Sequence, residues 1–140
     1  MAVGVLLLVV FVCIIGLILS KTWNINQYLV LRYPLRGVDV SHYQGEIDWK
    51  QIENQGMDFA FIKATEGSSH LDENFAANWQ AVNETEMYVG AYHFFSFDSE
   101  GRTQAEWYIQ AVGELEGKLA PVVDVEYYAD KEANPPKKAQ

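Results

Sequence analysis

The sequence holds one cysteine, Cys13, in 140 residues. A lone cysteine excludes an intrachain disulfide framework and a cysteine-ligated zinc site. Basic residues are also scarce: ten Lys and Arg stand against nineteen Asp and Glu, a formal charge of −9. Nucleic-acid binding needs clustered Lys and Arg to neutralise phosphates, so the balance argues against a nucleic-acid partner. His42, His70 and His93 show no metal-ligand spacing with one another or with Cys13, so no metal is expected. There is no glycine-rich phosphate loop, serine nucleophile elbow or Cys/His pair, and no cofactor is implied. Apolar residues, by contrast, are plentiful. With 49% of residues hydrophobic and 14% aromatic, a disordered chain is excluded.

The apolar residues are unevenly spread. Residues 1–19, MAVGVLLLVVFVCIIGLIL, carry no charge. As a helix they would span ~28 Å, close to one bilayer core. The segment has no basic start, a long apolar run and a poor cleavage site at Ile18 and Ser20. Residues 1–20 therefore read as a transmembrane anchor or uncleaved signal rather than a cleaved one. Residues 21–35 read as a linker and residues 36–140 as a domain. From residue 37 onward there are 7 basic and 19 acidic residues, so the domain is strongly acidic. Lys21, Arg32 and Arg36 follow the apolar run and nothing basic precedes it. Taken alone, that asymmetry places the domain in the cytoplasm.

Within the domain, short apolar runs alternate with amphipathic stretches. Gly37–Val40, Phe59–Ala64, Val89–Phe95 and Pro121–Val125 are rich in β-branched or aromatic residues, as expected of strands buried on both faces. Ile47–Gln55, Asp72–Asn83 and Ser99–Leu115 have helical spacing, the last carried by Ala105, Tyr108, Ile109, Val112 and Leu115. Asp72 and Ser99 are the expected N-caps. The order β-α-β-α-β-α-β predicts an α/β fold with a parallel sheet.

In such folds chemistry collects at the C-terminal ends of the strands. Each run here ends in polar groups: Asp39, then Ser41 and His42; Lys63, Thr65 and Glu66; Tyr92 and His93; Asp124 and Glu126. Residues two apart in a strand share a face, so Asp124 and Glu126 would lie about 6.6 Å apart along it. Paired carboxylates near the aromatics Tyr92, Phe94, Tyr127 and Tyr128 suit general acid–base work on a glycosidic bond. Plainer readings stand beside this one. A carboxylate can cap a helix or pair with Lys63, Lys63 and Glu66 can pair with each other, and His93 can be a hydrogen-bonded structural residue.

Four motifs in order, GVDVSHYQGEIDW (37–49), FAFIKATEG (59–67), VGAYHFF (89–95) and PVVDVEYY (121–128), resemble the glycoside hydrolase family 25 lysozymes, the Chalaropsis-type muramidases. The resemblance implies a TIM-like barrel of eight strands, of which only the first four βα units are present here. It implies cleavage of the β-1,4 bond between N-acetylmuramic acid and N-acetylglucosamine, with peptidoglycan glycan strands as partner. By position Glu126 matches the general acid/base. Asp124 matches the carboxylate that orients the substrate's 2-acetamido group for substrate-assisted retention, and Asp39 matches a supporting acid. Tyr92, Lys63, Glu66, Tyr128 and His93 become candidate substrate-binding residues. An enzyme of this kind works at the cell wall, which favours a domain facing the wall, membrane-anchored through residues 1–19 or secreted. An inactive or glycan-binding remnant is the alternative, because half the barrel is missing. A chitinase-type glycosidase fits the carboxylate spacing, but fits residues 37–44 less well.

Overall fold

The computed structural model describes residues 33–128 and 130–136. The expected membrane segment, residues 1–20, lies outside the described residues. Among the described residues no helix is long and apolar enough to cross a membrane.

The described residues from Leu35 onward form one compact unit. Its parallel strands are β1 (Gly37–Val40), β2 (Phe59–Glu66), β4 (Tyr88–Phe94) and β5 (Val122–Asp124), ordered β1-β2-β4-β5. A two-residue β3 (His70–Leu71) pairs antiparallel with β2. The connections carry a 3-10 turn (His42–Gln44) and the helices α1 (Trp49–Asn54), α2 (Phe75–Val82) and α3 (Gly101–Val112), with α4 (Asp130–Ala133) after β5. The expected strands and helices all form, β1 at its expected bounds and the others with shifted ends. Helix α2 begins at Phe75 and α3 at Gly101, so Asp72 and Ser99 are not the caps. Asn74 and Glu100 hold those positions, and neither makes a side-chain cap bond. Helix α3 stops at Val112 because Gly113 takes a φ of +71°, a region that glycine enters without steric cost.

Strand alternation separates two faces. One carries Val40, Ala60, Ile62, Ala64, Val89 and Ala91, which form the core with Trp49, Phe75, Val82, Tyr108 and Val112 from the helices. The registered rows Asp39–Phe61–Gly90 and Lys63–Tyr92–Val122 lie on the other face. That second face has tight packing of its own. A Cβ at Gly37 would strike the Phe59 ring, and one at Gly90 would strike the Phe61 ring. The two glycines let these phenylalanines lie flat across neighbouring strands.

On α3 the buried side chains are Gln104, Tyr108 and Val112. The expected stripe included Ile109, which is 66% exposed. The stripe is rotated because Gln104, a polar residue, occupies a buried position at i, i+4, i+8 spacing with the other two.

Candidate active site

The register between β2 and β4 slips between Lys63 and Thr65. This bulge changes which residues share a face. Thr65 turns toward the helices beside His93, and Glu66 stands beside Phe94 on the opposite face. Lys63 and Glu66, three apart, can then meet, with Nζ to Oε2 at 2.6 Å. Lys63 is buried and its Nζ lies 4.7 Å from the centroid of the Phe94 ring. Its charge is engaged within the sheet.

Beyond strand β1 the chain is fixed by two sets of bonds. Ser41 and Gln44 form a capping box around the 3-10 turn, with Ser41 N donating to Gln44 Oε1 at 2.8 Å. Asp72, 1% exposed, accepts from the backbone N–H of His42 at 3.0 Å and from His42 Nδ1 at 2.8 Å. It also accepts from Asn74 N at 3.1 Å. A carboxylate can only accept when ionised, so His42 carries its hydrogen on Nδ1. The residue expected to cap α2 instead clamps the turn that follows Asp39.

A cleft of about 400 Å³ opens on the face away from the helices. Asp39, Phe61, Tyr92, Val122, Asp124 and Glu126 line it. Asp39 and Glu126 are exposed and Asp124 is half-buried. Among the described residues no hydrogen bond or ion pair engages these three carboxylates. Strand β5 ends at Asp124, so Glu126 reaches the cleft from the following loop rather than from a strand position. Burial pushes the Tyr92 hydroxyl well above its ordinary value. The charges of Asp39, Asp124 and Asp72 push it further, and the Ser41 side chain acts the other way. Tyr92 therefore stands among carboxylates as a neutral hydrogen-bond donor. Among the described residues no cluster of three His, Cys, Asp or Glu is placed to hold a metal ion.

The sequence family described as glycosyl hydrolases family 25 matches residues 38–140. The chain belongs to that family. The match decides against the chitinase-type alternative. Among solved structures, the domain is similar to a family 25 glycosyl hydrolase from Bacillus anthracis, with 59% identity and a TM-score of 0.74. That likeness covers 76% of this chain and 49% of the other. The bacterial lysozyme of Streptomyces coelicolor is 36% identical, with a TM-score of 0.65 over 69% of this chain and 46% of that one. Lysozyme M1 of Streptomyces globisporus is 38% identical over 97 residues, 66% of this chain and 33% of that protein. The chain thus spans about half the length of those solved structures and a third of Lysozyme M1.

The remaining candidates of this family 25 domain separate by face. Tyr92 joins the carboxylates in the cleft. Lys63 and Glu66 pair on the same side of the sheet. Tyr128 packs on Phe94 with centroids 5.4 Å apart, and its hydroxyl meets Ser96 Oγ at 3.1 Å. His93 is not brought to the cleft. It is buried on the helix side, with Nδ1 2.8 Å from Thr65 Oγ1 and Nε2 2.9 Å from Gln104 Oε1. Gln104 Nε2 donates to Ser96 O and Ser99 O, so its Oε1 is the acceptor. His93 therefore donates from Nε2 and accepts from the Thr65 hydroxyl at Nδ1. Asp72, Ser96 and Gln104 were absent from the sequence-level candidates. Only Gln104 left a usable signal there, a polar side chain in register with Tyr108 and Val112.

Proposed function

We propose that the family 25 domain is a muramidase that cuts the β-1,4 bond after N-acetylmuramic acid in peptidoglycan. The observation that carries this reading is the convergence of Asp39, Asp124 and Glu126 on one cleft within the segment matching the family. In the first step Glu126, as a carboxylic acid, gives its proton to the leaving glycosidic oxygen while the C1–O bond breaks. The carbonyl oxygen of the substrate's own 2-acetamido group bonds to C1 and closes a ring. Asp124 orients and polarises that group. Water then attacks C1 and opens the ring, Glu126 takes the water's proton, and the anomeric configuration is retained. This is a recognised exception to the two-carboxylate scheme. Asp39 supports the charge arrangement, and Tyr92 offers a neutral donor to a sugar oxygen. Residues 1–20, uncharged through position 19, would hold the domain at the membrane facing the wall. A secreted form is the other arrangement.

A second reading has an observation of its own. Phe61 and Tyr92 line the cleft beside the carboxylates, and on this reading the domain holds glycan against these rings without cutting it. Muropeptide release from purified peptidoglycan separates the two. A muramidase releases reducing ends, and Glu126→Gln abolishes the release. Binding without release supports the second reading.

A further inference from the structure

Glu126 lies two residues past the end of β5, so no strand ladder holds it. The chain on either side is held by the Phe94 ring at the end of β4, which packs on Tyr128, and by the turn joining β4 to α3. At its start Phe95 N donates to Asp124 O at 2.8 Å. Beyond Glu126, the Phe97 ring meets Tyr127 with centroids 5.2 Å apart, and Ser96 Oγ meets the Tyr128 hydroxyl at 3.1 Å. Asp98 pairs with Lys131 at 2.8 Å, its own side chain 65% exposed and the lysine's 15%, and Lys131 Nζ lies 5.8 Å from the centroid of the Tyr128 ring. Among the described residues, the side-chain hydrogen bond that joins this turn to Tyr128 is the one from Ser96.

The turn can act as a fixed mount because Gln104 grips it from below. Gln104 is 1% exposed. Its Oε1 accepts from Ser96 N at 3.0 Å, and its Nε2 donates to Ser96 O at 2.7 Å and to Ser99 O at 2.8 Å. Both ends of the turn are thus bonded to one buried amide, and the Ser96 hydroxyl accepts from Asp98 N at 3.2 Å while it meets the Tyr128 hydroxyl.

We propose that Ser96 is a positioning residue for Glu126, acting through the Tyr128 hydroxyl. The inference rests on the acid/base role proposed for Glu126. Its first test does not. In the full chain, backbone 15N relaxation should show residues 125–128 rigid, with order parameters of about 0.85. In Ser96→Ala and in Tyr128→Phe they should fall below about 0.6, with no further fall in the double variant, while Ala60 and Ile62 in β2 stay unchanged. Unchanged values at 125–128 would overturn the proposal, and so would an equal fall in β2, which would indicate general loosening. The second test is muropeptide release. Ser96→Ala should lower kcat about tenfold and leave KM within about twofold, and a change confined to KM contradicts the proposal. If the wild-type chain releases no muropeptides, the muramidase reading fails, and the relaxation data still decide whether Ser96 holds this segment.

Discussion

Individual residues here answer to their neighbours across the sheet. Gly90 is a glycine because the Phe61 ring occupies the space where a Cβ would go. Gly90→Ala should destabilise the domain by about 1–3 kcal/mol, as overpacking does, read as a lower urea midpoint at constant m-value. Tyr92 responds to charge. Its folded-state value is raised above the ordinary 10.0 by burial and by three carboxylates. The native state thus keeps a proton that the unfolded state has begun to lose by about pH 10. The stability tied to Tyr92 is complete below about pH 10 and falls as pH rises beyond it. Tyr92→Phe should flatten that alkaline decline in thermal unfolding scans. The carboxylates were legible in the sequence, since residue type and strand-end position were enough to mark Asp39, Asp124 and Glu126. Asp72 was not, because its partner His42 is thirty residues away and a local pattern reads the aspartate only as a helix cap.

At the level of elements, the order of strands and helices followed from the apolar runs, and β1 is found at its expected bounds. The bulge in β2 was hidden. Strict alternation puts Lys63 and Thr65 on one face, and only the slipped register shows that Lys63 belongs with Glu66. Helix α3 shows the same limit. Its apolar residues mark a helix, but its buried stripe is set by Gln104. Gln104→Ala would strip partners from Ser96 N–H, two carbonyls and His93. The expected cost is about 2–4 kcal/mol, since unsatisfied buried polar groups are expensive. Chemical denaturation measures it. Glu106, exposed on the same helix, serves as the comparison. Glu106→Ala should stay within about 0.5 kcal/mol of wild type.

For the whole molecule, the matched segment is 49% of the B. anthracis chain, and among the described residues β5 pairs only with β4. Beside that strand a cavity of about 360 Å³ is lined by Tyr108, Ile109, Val122 and Val123, and Val123 is 57% exposed. An apolar edge of this kind favours association. Val123→Lys should reduce self-association in sedimentation velocity with little change in thermal midpoint. The cleft nevertheless gathers Asp39, Tyr92 and Asp124 from three of the parallel strands and Glu126 from the loop after β5. The most direct measurement is reducing-end release from purified peptidoglycan by the full chain beside Glu126→Gln. The account predicts release by the wild type and none by the variant. Equal release by both proteins, or binding with no release by either, would contradict it.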